Sequence, residues 1–388
     1  MPGRPFLQIP GPTLVPDRIV RAMAQPIIDH RGPRFAMLVQ ECLTGLKDIF
    51  QLQRGHIVLY PGSGTGAWEA AIVNTLSPGD RVLACVNGHF ATGFARTATA
   101  YGVECDRLEL PYGAGVPAAE VEERLRRDTT HEIRAVLMVH NETSTGVTSN
   151  VSAVRAAMDR AGHPALLLVD TVSSLASIDF RLDEWGVDVA LTGPQKGLML
   201  PPGMAILAVS ERAIAASEKA KCPCAYWDWQ PVLERNRRGE FPYTPATMLL
   251  FGLREAIALI AEEGLVNVFA RHARLAEACR RAVRALGLEI LCRDPAEHSN
   301  TLTAVVMPSG FDSDEFVRFA AQRLDLSLGI GLGVVKGKVF RIGHLGNLNE
   351  IDLLGGLAGV EMMLKEFGVP VRLGAGLAAA QEFLTAPR

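Results

Sequence analysis

Short apolar segments alternate with amphipathic segments between about residues 56 and 210. HIVLY at residues 56–60 and RAVLMVH at residues 134–140 are nearly continuous apolar runs, as in buried strands. VSAVRAAMDRAG at residues 151–162 has its apolar positions three and four residues apart, as in a helix. Apolar strands separated by helices predict an α/β fold whose mainly parallel sheet is covered on both faces.

The pattern changes beyond residue 247. Long helices are predicted at about residues 247–261 and 265–286, and shorter strands and helices follow them. This mixture is typical of a smaller α+β domain at the C-terminal end. The expected division is an N-terminal arm, a large domain and a small domain, at residues 1–20, 21–260 and 261–388.

The segment LYPGSGTGAWEAAI at residues 59–72 predicts a strand, a glycine-rich loop and a helix. Such a loop lets the backbone approach a phosphate closely, and the first helical N–H groups act as donors to it. A dinucleotide site would need a carboxylate after the second strand, and a Walker loop would need a lysine; both are missing. The hydroxyls of Ser63 and Thr65 suit a single terminal phosphate, although the segment alone also fits a structural turn.

Two charged residues follow predicted buried strands. Asp170 ends the run LLLVD, where a buried carboxylate needs a cationic or N–H partner, in a binding site or in a structural ion pair. Lys196 comes 26 residues later, after DVALTG, and a buried lysine with a lowered pKa is a nucleophile toward aldehydes. A phosphate loop, a carboxylate for a pyridine nitrogen and a lysine for an aldehyde are the minimal site for pyridoxal 5'-phosphate.

Composition restricts the partners and the compartment. The chain has 388 residues and a net charge of −3, which gives no basis for binding nucleic acid or an anionic membrane. No apolar run approaches about 18 residues and no signal peptide is recognised, so we expect a soluble cytoplasmic protein. The seven cysteines lack C-x-x-C spacing, and Cys222 and Cys224 have no histidine nearby, so no metal site is predicted.

Five motifs occur in order between residues 140 and 346, namely HNETSTGV, LLLVDTVSS, TGPQKG, FPYTP and VFRIGHLG, and IPGPT at residues 9–13 precedes them. With them, the chain resembles the class V aminotransferases of fold type I, in particular the alanine–glyoxylate and serine–glyoxylate group. The resemblance implies a mainly parallel sheet of the seven-stranded type and pyridoxal 5'-phosphate as cofactor. It also implies amino transfer from a small L-amino acid, serine favoured, to glyoxylate, which gives glycine and a 2-oxo acid. Aspartate, alanine and ureidoglycine are the alternative donors.

The resemblance further implies roles for individual residues. Lys196 is the lysine that binds the cofactor and later moves a proton, Asp170 pairs with the pyridine nitrogen, and Arg341 binds the substrate carboxylate. The other implied cofactor contacts are Ser63, Gly64, Thr65, Phe90, Thr143, Val172, Gln195 and Thr244. The implied substrate contacts from the N-terminal segment are Gly11, Pro12 and Thr13.

Thr244 implies a homodimer with shared active sites, because it matches a residue that reaches the phosphate of the other subunit. Some relatives have a tyrosine three positions earlier, where this chain has Phe241, which lacks a hydroxyl; Tyr243 is a candidate replacement. Pro194 stands where many relatives have a serine before Gln-Lys, which removes one hydroxyl near the phosphate.

Three rival functions are disfavoured by the sequence. Cysteine desulfurases share this fold but need a cysteine on a mobile loop, and the segment at residues 326–338 before FRIGH has none. The chain also lacks the carboxylate that a dinucleotide-binding dehydrogenase would need after its second strand. A non-catalytic binding protein would be expected to have lost Lys196 or Asp170, and both are present. The sequence does not separate serine from the other donors.

Overall fold

A computed structural model describes residues 5–386, so the first four residues of the expected arm and the last two of the expected small domain lie outside the described residues. The strands in this range are β1 (Phe6–Gln8), β2 (His56–Pro61), β3 (Arg81–Val86), β4 (Glu104–Glu109), β5 (Ile133–Val139), β6 (Asn141–Glu142), β7 (Val147–Thr148), β8 (Leu166–Asp170), β9 (Val189–Thr192), β10 (Met204–Val209), β11 (Glu289–Ile290), β12 (Leu302–Val306), β13 (Leu326–Ile330) and β14 (Val339–Gly343). The helices are α1 (Asp17–Met23), α2 (Pro33–Phe50), α3 (Gly64–Thr75), α4 (His89–Ala100), α5 (Ala118–Arg127), α6 (Val151–Arg160), α7 (Glu211–Ser217), α8 (Trp229–Asn236), α9 (Thr247–Glu263), α10 (Leu265–Ala285), α11 (Ser313–Leu324), α12 (Glu350–Glu366) and α13 (Ala375–Thr385).

Seven strands form the large sheet, in the order β2-β10-β9-β8-β5-β3-β4. The strands from β9 to β4 pair in parallel, and β10 alone runs antiparallel to its neighbours β9 and β2. Leu167 and Val169 of β8 pack into one buried cluster with α2 and α9, whereas Leu166 and Leu168 pack into a second cluster with α3 and α4. Both faces of the sheet are therefore covered, and the predicted α/β architecture is confirmed.

The polar residues identified in the sequence meet at one edge of this sheet. Asp170 is the last residue of β8, and β9 ends at Thr192, shortly before Lys196. The glycine loop follows β2, which runs in the same direction as β9, and α3 begins at Gly64. Because the carboxyl ends of parallel strands share an edge, these three segments converge there.

The second sheet has the strand order β1-β13-β14-β12-β11. Its C-terminal strands pair antiparallel, but β1 pairs in parallel with β13, through Phe6 with Leu326 and Gln8 with Leu328. Helices α10 to α13 supply the buried side chains that pack around this sheet. The N-terminal segment therefore supplies an edge strand to a sheet that is otherwise C-terminal.

Three further properties describe residues 5–386 as a whole. No helix in this range combines the length and the apolar character that a membrane span requires. No group of three or more histidine, cysteine, aspartate or glutamate side chains is arranged to hold a metal ion there. All seven cysteines are free thiols.

Candidate active site

The glycine loop ends in a helix N-terminus that is open to an anion. Ser63 is the N-cap of α3, and its Oγ accepts a hydrogen bond from the Gly66 N–H at 3.2 Å. The N–H groups of Gly64 and Thr65 belong to the first turn, where no intrahelical acceptor exists and the helix dipole is positive. Position 64 has no room for a side chain, because a Cβ there would lie 2.7 Å from Cγ2 of Val172. This geometry is suited to a terminal phosphate.

Asp170 presents a buried carboxylate whose direct partners are two N–H groups. Its Oδ1 accepts the Val172 backbone N–H at 2.7 Å, and its Oδ2 accepts the Trp68 indole N–H at 2.7 Å. It forms no ion pair with any residue between 5 and 386. Burial raises the pKa of Asp170 to about 7, although both hydrogen bonds act in the opposite direction. A protonated ring nitrogen would supply the missing positive charge.

Lys196 lies under the segment that follows β1. Its ammonium group donates a hydrogen bond to the carbonyl oxygen of Pro10. Gly11 has a φ of +98°, which favours glycine, and a Cβ at this position would overlap the side chain of Lys196. Pro12 is joined to Gly11 by a cis peptide bond, and Thr13 Oγ1 donates to the Lys196 carbonyl oxygen at 3.2 Å. The structure therefore brings the predicted residues 11–13 to the lysine backbone and side chain.

The pKa of the Lys196 amino group is shifted toward neutral pH. Burial and, to a smaller extent, the charge of Arg341 lower its pKa to about 8, although the charge of Asp170 acts in the opposite direction. Near pH 7 the lysine therefore has an appreciable neutral fraction, which a nucleophile and proton carrier needs.

Arg341 is the middle residue of β14 and is 7% exposed. Its Nε donates to the carbonyl oxygen of Ile330 at 2.9 Å, and its Nη1 donates to that of Thr143 at 2.9 Å. These two bonds fix the plane of the guanidinium, and Nη2 forms no hydrogen bond within residues 5–386. Burial lowers the pKa of Arg341 to about 10, which still leaves it charged. The group is thus a fixed cation near the lysine with donors left for a carboxylate.

A cavity of about 140 Å³ connects the loop, the carboxylate and the lysine. The predicted residues that line it are Ser63, Gly64, Thr65, Phe90, Thr143, Asp170, Val172, Gln195 and Lys196. Oε1 of Gln195 is buried and has no hydrogen-bond partner among residues 5–386, so the cavity also holds an unused acceptor. Arg341 and residues 11–13 lie outside the lining. Thr244 is exposed and also lies outside it, so this chain's own cavity does not include every predicted contact.

Trp68 and Asn141 also line the cavity, and the sequence did not single them out. Trp68 lies one turn after the glycine loop on α3. Its closeness in sequence to the predicted phosphate loop was the feature that could have identified it. The Asn141 amide and the Thr143 hydroxyl both donate to Oγ of Ser173, at 2.8 and 2.7 Å. Asn141 had a weaker signal, its place in the motif that contains Thr143.

Glu142 lies behind the cavity and connects two of its walls. The side chain is fully buried and accepts hydrogen bonds from the N–H groups of Phe90 and Ala91 at 3.1 and 2.9 Å. It also accepts the hydroxyl of Ser144 at 2.7 Å. The carboxylate therefore caps the first turn of α4, which carries Phe90, from the segment that carries Thr143.

The family Aminotransferase class-V matches residues 6–337, a range that contains every cavity-lining residue and ends shortly before Arg341. The chain is a member of the class-V aminotransferase family. It is 48% identical over 388 residues to a serine–glyoxylate aminotransferase of Methylorubrum extorquens, which covers 99% of this chain and 96% of the relative. It is also 48% identical over 374 residues to an L-aspartate–glyoxylate aminotransferase of Paracoccus denitrificans, with 96% and 94% covered.

The fold of this class-V aminotransferase also matches a solved structure over its full length. The crystal structure of ureidoglycine–glyoxylate aminotransferase from Bacillus subtilis superposes with a TM-score of 0.91 at 28% identity, covering 100% of this chain and 99% of that one. The chain is therefore an enzyme of the transaminase class, as the resemblance predicted.

Pyridoxal 5'-phosphate is the cofactor indicated by this family membership, and the residues present fit it. The α3 N-terminus matches its phosphate, the buried carboxylate of Asp170 matches its protonated nitrogen, and the amino group of Lys196 matches its aldehyde. The first N–H groups of α3 have no intrahelical acceptor. The pKa of Asp170 is about 7 and that of Lys196 is about 8, so both groups can change charge near neutral pH.

Proposed function

We propose that this class-V aminotransferase transfers the amino group of a small L-amino acid, with serine as the preferred donor, to glyoxylate. The products are glycine and a 2-oxo acid. The observation that carries the proposal is 48% identity to a serine–glyoxylate aminotransferase over nearly the whole chain. Aspartate is the second candidate donor, because identity to the L-aspartate–glyoxylate enzyme is equally high.

The protein's first task in this proposal is to hold the cofactor. When bound, pyridoxal 5'-phosphate supplies an aldehyde for the amine and a ring that withdraws electrons. The N–H groups of Gly64 and Thr65, with the hydroxyls of Ser63 and Thr65, bind its phosphate. The ionised carboxylate of Asp170 holds the proton on its ring nitrogen, which maintains the ring's capacity to accept electrons.

Lys196 carries the proton in this proposal. Because burial lowers its pKa to about 8, the neutral amine is accessible at physiological pH and the ammonium is accessible after it takes up a proton. The Pro10 carbonyl oxygen accepts a hydrogen bond from Nζ and so defines a resting position for the amino group. Gly11 covers the side-chain methylenes and limits the access of water to them.

Arg341 is proposed to bind the carboxylate of both substrates. The amino donor and glyoxylate share one feature, a carboxylate next to the reacting carbon. A guanidinium whose plane is fixed by Ile330 and Thr143 presents its remaining N–H groups in one direction. A planar fork of this kind recognises a carboxylate in two contacts, which a lysine would not reproduce.

A panel of amino donors tests the substrate proposal. We expect serine to have the highest kcat/KM with glyoxylate, measured by the formation of glycine, ahead of aspartate, alanine and ureidoglycine. A higher value for aspartate would favour the second candidate. No turnover with any of the four donors would contradict the proposal, provided that the protein is yellow and holds its cofactor.

We further propose a homodimer in which each site receives Thr244 from the other subunit. The support is that Thr244 is exposed and lies apart from the cavity of its own chain. Mixed dimers test this arrangement. A Lys196→Ala chain combined with a Thr244→Ala chain would have one site with both groups intact, so the mixture should exceed both parent variants in activity. A fully active monomer in light scattering, or no gain on mixing, would contradict it.

Two broader proposals concern the domains and the compartment. We propose the division into residues 1–20, 21–260 and 261–388, with the first segment attached to the small domain through β1 and β13. Limited proteolysis should cut near these boundaries.

We also propose a cytoplasmic location, because all seven cysteines are free thiols, as expected in a reducing compartment. Cell fractionation checks this location.

A further inference from the structure

We propose that Trp68 is a positioning residue, whose indole N–H orients the Asp170 carboxylate and stabilises its charged form for the pyridine nitrogen. The inference rests on the proposed cofactor chemistry and assigns a role to a residue that this chemistry alone does not identify. Within the described chain, Trp68 is the one side chain that donates a hydrogen bond to Asp170.

The position of Trp68 follows from the helix that carries it. Helix α3 presents its first N–H groups to the phosphate site, and Trp68 lies a little more than one turn later on the same helix. From there its Nε1 reaches Oδ2 of Asp170 at 2.7 Å, a short bond to a charged acceptor. One rigid helix therefore positions the phosphate donors and the carboxylate at a fixed distance from each other.

Packing holds the indole ring in this orientation. Trp68 is 6% exposed and stacks on Phe94 of α4, with ring centroids 5.8 Å apart and planes at 18°. Gly93 leaves room for it, since a Cβ at that position would lie 3.0 Å from Cζ3 of the indole. The N–H thus has little freedom to point elsewhere.

The two donors to Asp170 are not equivalent. The Val172 N–H belongs to the backbone and is retained in any variant, whereas the Trp68 N–H is removed by substitution. The charged groups that face Asp170 from neighbouring segments are Lys196 and Glu142, and their effects on the carboxylate have opposite signs. Removal of the Trp68 N–H therefore leaves a buried carboxylate with one direct donor, which favours its neutral form.

A second hydrogen bond on α3 provides a matched control. Glu69, the residue after Trp68, accepts the hydroxyl of Tyr101 at 2.8 Å, and neither residue lines the cavity. The variant Tyr101→Phe removes one donor to the carboxylate of Glu69 on α3, just as Trp68→Phe removes one donor to the carboxylate of Asp170 on β8. A merely structural role of Trp68 predicts that both variants lose stability and that neither changes the binding of the cofactor ring.

The probe is pyridoxamine 5'-phosphate, which has the ring nitrogen and the phosphate but no aldehyde for Lys196. Its Kd for the cofactor-free protein is measured from pH 5 to pH 9, together with thermal stability. We expect Trp68→Phe to weaken binding at pH 7 by about 10- to 100-fold, the effect of one hydrogen bond to a charged group. The pH below which affinity falls should rise by about one unit, whereas Tyr101→Phe should leave both quantities unchanged.

Two further measurements separate the proposed role from a loss of packing. Incorporation of 3-benzothienylalanine at position 68 keeps the ring shape and replaces the N–H by sulfur, so it should reproduce the effect of Trp68→Phe on binding. An analogue of the probe with CH in place of the ring nitrogen should bind equally to the wild-type and variant proteins. If the variants keep the wild-type dependence of Kd on pH and differ in stability alone, Trp68 only fills space. If the wild-type protein binds no probe, the proposed function itself fails.

Discussion

Asp188 and Asp170 lie at opposite ends of neighbouring strands in the large sheet, and both carboxylates are buried. Asp188, just before β9, accepts the Leu167 N–H at 2.9 Å and the Ser210 hydroxyl at 3.0 Å. It also forms an ion pair with Arg212 at 3.3 Å. Asp170, at the carboxyl end of β8, has two N–H donors and no ion pair among the residues that the structure describes.

The difference separates a structural carboxylate from a site carboxylate. Burial raises the pKa of both, and at Asp188 the charge of Arg212 is the largest opposing effect. The folded chain therefore compensates the buried charge at one end of the sheet. At the other end it leaves a cation to be supplied by a ligand, which costs stability in the cofactor-free protein.

At the end of the sheet that carries Asp170, the largest expected effect is that of Lys196→Ala. Removal of the amino group should lower the rate of the first half-reaction by about 10⁴-fold, since a positioned acid–base group contributes up to this factor. The variant should still bind pyridoxal 5'-phosphate non-covalently, as absorbance after gel filtration would show. The control is Lys219→Ala at an exposed lysine. Near-normal single-turnover rates in Lys196→Ala would contradict the role of this lysine.

The next effect concerns Arg341→Lys, which keeps a positive charge but loses the planar fork. Loss of a bidentate charged contact costs about 2–5 kcal/mol, or roughly 30-fold to several thousand-fold in kcat/KM. Both half-reactions should be slowed, because both substrates have a carboxylate, and single-turnover kinetics measures each one. A variant affected only with the amino donor would mean that glyoxylate binds to other groups. Arg323→Lys, at an exposed arginine, is the control.

A smaller effect is the dependence of stability on pH without cofactor. The pKa of Asp170 is about 7 in the folded chain and 3.8 as the ordinary value, so the folded state keeps a proton that the unfolded state loses between these pH values. Stability should therefore fall as pH rises from about 4 to about 7, by at most about 1.4 kcal/mol per pH unit.

Urea denaturation of the wild-type protein and Asp170→Asn at several pH values measures this contribution. Burial lowers the pKa of His140 and His272 to about 4, which gives an opposite slope in both proteins, so the difference between them is the relevant quantity. Addition of cofactor should remove the difference in slope. Identical slopes without cofactor would show that Asp170 is already compensated.

The smallest effect is expected at the end of the sheet that carries Asp188. Arg212→Gln removes the cation from Asp188, but the Leu167 and Ser210 donors remain, and the side chain of Arg212 is 52% exposed. The free energy of unfolding should decrease by about 1 kcal/mol, with no change in cofactor affinity. A loss several times larger would mean that Asp188 depends on its ion pair as strongly as Asp170 depends on a ligand.

Much of this arrangement was predictable because its signals are local. The alternation of apolar runs predicted the parallel sheet, and the polar residues at the ends of β2, β8 and β9 do converge at one edge of it. The predicted helix at 247–261 corresponds to α9, Thr247–Glu263. Motifs that resemble a family supplied residues such as Phe90, whose apolar side chain alone is typical of any core.

The parts that were not predicted depend on contacts between distant segments. The pairing of β1 with β13 requires the tertiary fold, because three residues at the N-terminus have no periodicity to read. The hydrogen bond from Trp68 to Asp170 joins two elements across the sheet edge, and an aromatic residue on a buried helix face is ordinarily part of the core. Glu142 is similar, because two of its hydrogen-bond donors, Phe90 and Ala91, lie on α4, more than fifty positions earlier.

The pairing of β1 with β13 also limits when, during synthesis of the chain, residues 10–13 can be anchored over Lys196. The segment at residues 10–13 that covers Lys196 is synthesised about 300 residues before the strand that pairs with β1. A nascent chain that has not reached Leu328 lacks the partner of β1, and such long-range pairing forms late. Closure over the lysine by an anchored β1 thus has to wait until β13 has been synthesised.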